Sequence, residues 1–395
     1  MALLFCETPG IPTHSEKSAS ALATAHENAN KIVFLTSQAM SGTTIFMNGL
    51  YQNVFILYEL IENLGYKPII LTDKRLEDVS GAGDLFNGIR TTDVDTFFKA
   101  PYNIHHVIEV AVGHIPLTRK MFRRFGARVT KLYLGNILNI DIELPTFIPG
   151  HNISHHIAGE LDEIWTSPHY APNVDYGGVI NGDASQPWPP SRIVPYVWSP
   201  RFIKDATSFA GFNDAAIYGF TIIEPNISFQ KCHLIPLLII EALYRSNPEA
   251  VREVIVISDR ATASTYFQAV IRPRLHLVRD GKVHFEKRHT IIEVTKKWPH
   301  NIVVGNQILN EYNYIMMEHL HLGFPYVHNC ASLRDYGYYY EGTDIDSGEE
   351  AIRRAFNHDR RRGAARAEAA QLAWRFSPNN PEILSGWSEL LKHKE

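Results

Sequence analysis

The chain has 395 residues, of which 45% are hydrophobic and 20% are charged. This composition is typical of a folded globular protein, it excludes a largely disordered chain, and the length predicts two or three domains. With 38 basic and 42 acidic residues, the formal net charge is -4. A negative net charge gives no general attraction to nucleic acid, so we expect no nucleic-acid partner.

Cysteine usage and the N-terminus indicate where the protein works. Cys6, Cys232 and Cys330 show no C-x-x-C spacing, which argues against a disulfide framework and favours a reducing compartment. The N-terminus lacks the pattern of a secretory signal, and no apolar stretch reaches the roughly 18 residues of a membrane-spanning helix. We therefore expect a cytoplasmic protein without a transmembrane segment, in the host cytoplasm if its source is a virus.

Residues 1–30 show no sustained period and are predicted to form an N-terminal arm. From Lys31 onward, predicted strands alternate with helices. The strands are KIVFLTS, KPIILTD, HHVIEVAVG, ARVTKLYLG, DEIWTSP and IVPYVW, and the first helix covers VFILYELIENLGY. Apolar runs that do not alternate and are separated by helices indicate a parallel sheet covered on both faces. Residues 31–205 are therefore predicted to form a Rossmann-like domain.

The same alternation restarts in residues 206–376, which are predicted to form a second Rossmann-like domain. Its strands are AIYGFTII, REVIVISD, KVHFEKR, NIVVG and FPYVHN, and its helices cover 233–245, STYFQAVI and NEYNYIMMEHLHLG. Residues 377–395 contain a final helix. The predicted fold class is thus α/β, with two Rossmann-like domains facing across a cleft.

The segment IIEPNISFQK, residues 222–231, connects the first strand and helix of the second domain. Ligands of open parallel sheets bind beyond the carboxyl ends of the strands, where helix N-termini attract a diphosphate. Lys231 adds a positive charge there, and Glu224, Asn226 and Ser228 add polar groups. These four residues are predicted to bind the diphosphate-containing ligand, called the donor below. The alternative is that Asn226 and Ser228 only shape a turn while Lys231 is solvated.

The helix over NEYNYIMMEHLHLG carries a second polar set, Asn313 and Glu318. A carboxylate that faces the cleft accepts hydrogen bonds from paired ribose or sugar hydroxyls, so both residues are added to the donor site. A solvated helix glutamate is the equally common alternative for an isolated residue.

Polar residues also follow strands of the first domain. Asn48, Gly49, Gln52 and Asn53 come after its first strand, and Asn136 lies in the LGN loop. Amides and a flexible glycine at the mouth of a sheet suit contacts to a ligand. These five residues are predicted to line the cleft or hold an acceptor.

Glu109 and His114 lie at the end of the strand IEVAVGH and are the catalytic candidates, because either side chain can take a proton from a sugar hydroxyl. The cluster of His151, His155 and His156 matches no tight zinc spacing, so we expect no metal site. The chain lacks the dinucleotide motif G-x-G-x-x-G after its first strand, the phosphate-binding motif G-x-x-x-x-G-K-[ST] and the hydrolase motif G-x-S-x-G. Their absence disfavours dehydrogenases, NTPases and ester hydrolases.

Eight segments of the chain, taken in order, are NG-x-x-QN, LGN, DEIWTSPHY, VPYVWSP, EPN-x-x-x-x-K, N-x-x-x-x-E, GFPYVHN and DYGYYY. Their order resembles that of a little-characterised family of glycosyltransferase-like proteins from bacteria and large viruses. The resemblance extends from about residue 31 to residue 359. The wider similarity is to GT-B glycosyltransferases, notably the retaining group with an R-x-x-x-x-K loop and an E-x7-E helix.

Position by position, Lys231 matches the phosphate-binding lysine of that group, and Asn226 stands where the group has its arginine. Glu318 matches the second glutamate, which contacts the donor. Asn310 occupies the place of the first glutamate, and Glu311 is one residue away from it.

The resemblance implies a nucleotide-sugar donor held by the second domain and a glycan, glycoprotein or other hydroxyl acceptor held by the first. It also implies transfer without a metal or other cofactor, synthesis of a surface or virion glycan, and a last helix that crosses back to the first domain. Two alternatives remain open. One is a nucleotide-sugar epimerase, and the other is a non-catalytic GT-B carbohydrate-binding protein, which the missing arginine and first glutamate favour.

Overall fold

The computed structural model describes residues 28–38, 45–46, 49–73, 87–147, 156, 158–182, 188–214, 216–226, 228–258, 260 and 262–392. Almost all of the predicted N-terminal arm therefore lies outside the described residues. The strands are β1 Ile32–Ser37, β2 Lys67–Thr72, β3 Thr91–Asp93, β4 His106–Glu109, β5 Arg128–Tyr133, β6 Glu163–Thr166, β7 Ser191–Ile193, β8 Tyr218–Ile222, β9 Val251–Ile257, β10 Val283–Glu286, β11 Ile302–Val304, β12 Tyr326–His328 and β13 Tyr338–Tyr339.

The helices are α1 Gly49–Asn63, α2 Val94–Lys99, α3 Pro116–Arg124, α4 Ile137–Phe147, α5 Val174–Asn181, α6 Leu234–Ser246, α7 His276–Arg279, α8 Ile291–Lys297, α9 Tyr314–His321, α10 Ile345–Ala355, α11 Arg362–Arg375 and α12 Pro381–Leu391. A π-helical turn covers Phe267–Ile271. None of the helices in the described part of the chain combines the length and apolar character needed to cross a bilayer.

The strands form two parallel sheets. The seven-stranded sheet has the order β3-β2-β1-β4-β5-β6-β7, and the six-stranded sheet has the order β10-β9-β8-β11-β12-β13. All five residues of β8 are buried, as expected for a parallel strand covered on both faces. In each sheet the strand order reverses once, between β1 and β4 and between β8 and β11, and ligands of such sheets bind at this switch point. The predicted pair of Rossmann-like domains is confirmed.

Three predicted elements differ in the structure. The helix expected over 310–323 begins only at Tyr314, because Leu309 and Tyr312 have positive φ angles that an α-helix does not allow. Asn310 consequently lies in a loop. The strand expected at IVPYVW lies earlier, at Ser191–Ile193, and the segment STYFQAVI forms the π-helical turn.

The end of the chain returns to the first domain. Trp387 on α12 is buried in the core of that domain, where its ring meets the ring of Trp165 edge to face, with 5.5 Å between centroids. Its Nε1 donates to the carbonyl oxygen of Pro195, 2.9 Å away. Where the chain crosses back, the N–H of Trp198 donates to the carbonyl oxygen of Phe376 at 2.8 Å, so the two connections between the domains lie side by side. The expected crossover helix is confirmed.

Candidate functional site

The carboxyl ends of the two sheets face each other across a cleft of about 1070 Å³. This volume is adequate for a nucleotide sugar, since small-molecule sites typically measure about 300–1,000 Å³. Both domains contribute polar side chains to its walls. Those used below are Gln52, Asn53, Lys131, His169 and Tyr170 from the first domain and Lys231, Arg260, Arg288, Asn313, Tyr314 and Glu318 from the second.

Glu224 lies beneath the cleft and joins the two loops that meet at the second switch point. Its carboxylate accepts the backbone N–H of Asn306 at 3.0 Å and the Nε2 of Gln307 at 2.9 Å from each oxygen. Burial raises the pKa of Glu224 to about 8, against the hydrogen bond from Asn306 and the charge of Lys231. Glu224 therefore supports the loop of residues 223–231 from below, and it is not among the residues that line the cleft.

Lys231 is half-buried in the cleft wall, and the loop before it determines its position. Asn226 has a φ of 54°, its N–H donates to the carbonyl oxygen of Lys231 at 3.0 Å, and its side chain donates to the carbonyl oxygen of Arg260 at 3.3 Å. Ser228 contributes its carbonyl oxygen, which accepts from the N–H of Lys231 at 3.2 Å. Asn226 and Ser228 thus shape the turn that presents Lys231.

Burial and charged groups of both signs act on Lys231. Burial lowers its pKa, the carboxylate of Glu224 raises it, and the guanidinium of Arg288 lowers it again. Arg288 and Arg260 lie just beyond the ends of β10 and β9 and line the same cleft. Neither arginine is among the residues predicted from the sequence, although their places after ISD and FEK at strand ends are a usable signal. They bring two guanidinium groups to the cleft wall that also contains Lys231.

Glu318 lies on α9 with only 4% of its surface exposed, and it lines the cleft. Burial raises its pKa to about 8. Asn313 caps α9, since its side-chain oxygen accepts the N–H of Ile315 at 3.1 Å, and this cap determines where the helix begins. Glu318 is therefore a carboxyl group held in an apolar wall and facing a polar cavity.

A chain of buried hydrogen bonds crosses from one domain to the other. The hydroxyl of Tyr170 donates to Oδ1 of Asn310 at 2.7 Å, and Nδ2 of Asn310 donates to Oε1 of Gln307 at 2.7 Å. Gln307 in turn donates to Glu224. Neighbouring Glu311 accepts hydrogen bonds from the backbone and the hydroxyl of Ser332. Asn310 is thus neutral and hydrogen-bonded at both atoms of its amide.

The acceptor candidates divide between the cleft and the domain contact. Gln52 and Asn53 line the cleft, and Asn53 donates to the carbonyl oxygen of Gly49 at 2.9 Å. Gly49 also borders the cleft, packed so closely on Tyr314 that a Cβ would lie 2.8 Å from the ring. Asn136 instead links the domains, donating to the carbonyl oxygen of Leu309 at 3.2 Å. Asn48 lies outside the described residues.

Glu109 is fully buried at the end of β4 and is held by internal donors. Arg119 donates to its two oxygens from Nε and Nη2, each at 2.9 Å, and the N–H of His114 donates at 2.9 Å. Burial alone would raise the pKa of Glu109, but the hydrogen bonds from His114 and Arg119 hold it at about 2. This geometry favours an anchoring role over proton abstraction, because an efficient base has a pKa near the working pH.

His114 and Lys131 lie beside Glu109. Nδ1 of His114 is 3.2 Å from Oε1 of Glu109, and its Nε2 has no hydrogen-bond partner in the described part of the chain. Lys131 is the register neighbour of Glu109 on β5, and its Nζ lies 3.9 Å from Oε2. Lys131 is not among the residues predicted from the sequence, because only strand register brings it next to Glu109.

Two histidines have defined surroundings. His169 follows β6 and lines the cleft, where burial lowers its pKa to about 3, so its ring is neutral at neutral pH. Nδ1 of His156 lies 2.6 Å from Oδ1 of Asp141. His151 and His155 lie outside the described residues. Within the described ranges, no three histidine, cysteine or acidic side chains are grouped as metal ligands.

Solved structures share this fold over nearly the whole chain. A glycosyltransferase from Rickettsia africae ESF-5 has a TM-score of 0.56 and 11% identity, covering 92% of this chain and 98% of its own. HepE from Anabaena, solved with UDP-glucose, has a TM-score of 0.55 and 10% identity, covering 91% and 99%. Sucrose-phosphate synthase from Thermosynechococcus elongatus has a TM-score of 0.51 and 12% identity, covering 91% and 98%.

These similarities, together with the two facing sheets, show the GT-B fold. No curated protein sequence matches the chain significantly. A family described as "Protein of unknown function (DUF2827)" matches residues 33–391. The chain therefore belongs to the DUF2827 family.

Proposed function

We propose that this protein transfers a sugar from a nucleotide-sugar donor to a hydroxyl acceptor in the interdomain cleft. The observation that carries this proposal is that Lys231 and Glu318, from separate elements of the second domain, face one cleft at the switch point of its sheet. Proteins of the same fold include glycosyltransferases, and HepE was solved with UDP-glucose. The proposal includes kinship to the retaining group with an E-x7-E helix.

In this proposal the second domain holds the donor. The diphosphate leaving group gains negative charge as the glycosidic bond breaks, and Lys231 at the cleft wall stabilises that charge electrostatically. The charges of Arg260 and Arg288 add to the field, so the proposed transfer needs no divalent cation. Burial raises the pKa of Glu318 to about 8, so it meets the ribose as a neutral carboxyl group, which donates one hydrogen bond to a ribose hydroxyl and accepts another.

The first domain holds the acceptor through Gln52 and Asn53 on α1. His114 is the candidate base from the sequence, and its Nδ1 lies 3.2 Å from Oε1 of Glu109, but its ring packs on Phe122 with 5.3 Å between centroids and does not line the cleft. We therefore assign no base to the acceptor hydroxyl. On the family resemblance, we place the reaction in the cytoplasm and in the synthesis of a surface or virion glycan.

A non-catalytic protein that binds nucleotide sugars is the second candidate, and one observation favours it. Asn310 stands where the retaining group has its first glutamate, and both atoms of its amide are used in hydrogen bonds between the domains. Tight donor binding without release of nucleotide, across a broad acceptor panel, would distinguish this candidate.

The test is a thermal-shift and turnover screen against UDP-, GDP- and dTDP-sugars with Lys231→Met. A ligand at 100 times its dissociation constant adds about 2.7 kcal/mol of apparent stability. Lys296→Met is the matched control, because Lys296 is exposed on α8 of the same domain and does not line the cleft. We expect Lys231→Met to lose at least tenfold in donor affinity while the control is unchanged. Equal donor binding by both variants would reject the site.

A further inference from the structure

The first domain's wall of the cleft contains a buried cluster with two cations and one carboxylate. Nη2 of Arg119 and Nζ of Lys131 lie 2.9 Å and 3.9 Å from Oε2 of Glu109. Asp141, another acidic residue of the first domain, is engaged by Nδ1 of His156 at 2.6 Å and by the hydroxyl of Tyr176 at 2.9 Å. Within the described residues, Glu109 is the sole acidic group within 4.0 Å of Lys131. The cluster therefore carries one positive charge in excess.

Glu109 does not need Lys131 as its counter-ion. Arg119 already occupies both carboxylate oxygens, and the N–H of His114 supplies a third donor. A separation of 3.9 Å exceeds hydrogen-bond length, so the ammonium group of Lys131 does not donate to Glu109. Lys131 is only 8% exposed, its Nζ lies 5.9 Å from the centroid of the Tyr133 ring, and it has no hydrogen-bond acceptor in the described part of the chain. Burial of a cation with so few partners is costly. An anion supplied from outside would remove that cost.

The cluster opens towards the cleft at Gly113. A Cβ at this position would lie 3.3 Å from Nζ of Lys131, 3.4 Å from Nη2 of Arg119 and 3.5 Å from Oε2 of Glu109. Gly113 is exposed, and both Gly113 and Lys131 line the cleft. Because glycine has no side chain, nothing at this position covers the two cations.

We propose that Lys131, supported by the Glu109–Arg119 pair, binds an anionic group of the acceptor, a phosphate or a carboxylate. The assignment of this ligand as the acceptor rests on the proposed function. The cleft then has two places for negative charge on opposite walls, with Lys231 for the diphosphate of the donor and Lys131 for the acceptor.

Isothermal titration of the protein in excess UDP with glucose 1-phosphate, glucuronate and glucose tests this proposal, because on the proposed function a nucleoside diphosphate occupies the Lys231 side of the cleft. We expect at least one anionic sugar to bind tenfold or more tightly than glucose, and Lys131→Met to abolish that preference. The two anionic probes separate phosphate from carboxylate. Equal affinities for all three sugars, or an unchanged preference in Lys131→Met, would overturn the proposal.

A second pair of variants avoids removing the buried lysine. Gly113→Asp places a carboxylate next to Lys131, so we expect at least a tenfold loss of anion affinity. Gly113→Asn adds the same bulk without charge and is expected to keep more of the affinity. Equal anion affinity in these two variants would contradict the proposal.

The same titration on Lys231→Met separates this inference from the proposed function. Loss of the anion preference in Lys131→Met but not in Lys231→Met supports the acceptor-side site even if wild-type protein binds no UDP. Absence of binding of UDP, GDP and dTDP alike counts against the donor site alone.

Discussion

The hydroxyl of Tyr170 donates to Oδ1 of Asn310, 2.7 Å away, and joins the first domain to the switch-point loop of the second. The same amide donates to Gln307, which donates to Glu224 beneath the loop that carries Lys231. The contact between the domains is therefore connected, bond by bond, to the loop proposed to hold the diphosphate.

Tyr170→Phe removes the donor of this contact and leaves Oδ1 of Asn310 buried without its partner. An unsatisfied buried acceptor costs about 1–3 kcal/mol, so we expect urea denaturation to show a loss of that size. Small-angle scattering should also show a larger radius of gyration. Tyr176→Phe is the control, because the hydroxyl of Tyr176 donates to Asp141 within the first domain. An equal expansion in both variants would show that Tyr170 does not hold the domains together.

Gly49→Ala tests how closely the domains approach. The new Cβ would lie 2.8 Å from Cδ2 of Tyr314, and overpacking of this kind typically costs about 1–3 kcal/mol. Tyr314→Leu should relieve the clash, so that Gly49→Ala costs less in the Tyr314→Leu background. A double-mutant cycle by chemical denaturation measures this coupling, and additive effects would contradict the contact.

Glu318 should make stability depend on pH. Its pKa is about 8 in the folded protein and 4.5 as the ordinary value, so the folded state binds the proton more tightly. The contribution of protonated Glu318 to the free energy of unfolding is complete below pH 4.5 and is lost as the pH rises through about 8. The pKa of Glu224 is also raised to about 8, so its titration lowers the stability of the wild type over the same pH range. A variant of Glu318 is therefore needed to separate the two contributions.

Glu318→Gln should therefore gain stability relative to the wild type between pH 5 and pH 9, by roughly 1–3 kcal/mol. Denaturation at several pH values measures the difference. Glu389→Gln, at an exposed position on α12, should run parallel to the wild type. A constant difference between Glu318→Gln and the wild type across this range would show that Glu318 does not titrate there.

Trp387→Ala tests the crossover helix. Trp387 is 1% exposed in the core of the first domain, and truncation of a buried tryptophan costs about 3–5 kcal/mol. Trp374→Ala on α11 is the control, because that ring is 55% exposed and should cost far less. Similar melting temperatures for the two variants would mean that α12 contributes little to the first domain.

Sequence patterns predicted most of the sheets, because long buried strands such as Tyr218–Ile222 need continuous apolar runs. The edge strands β3 and β13 were missed, since three and two residues are too short to show a pattern. The helix start was misplaced at Asn310, because the side-chain cap of Asn313 and the positive φ angles before it outweigh the helical period.

The order of residues alone determined the α/β class, the repeat of two Rossmann-like units and the importance of the segment around Lys231, because these depend on local periodicity and on where a loop follows a strand. Tertiary structure alone decided that Lys131 lies beside Glu109 and that Asn310 reaches Tyr170. Such contacts depend on strand register and on the packing of one domain against the other, which join residues far apart in the chain.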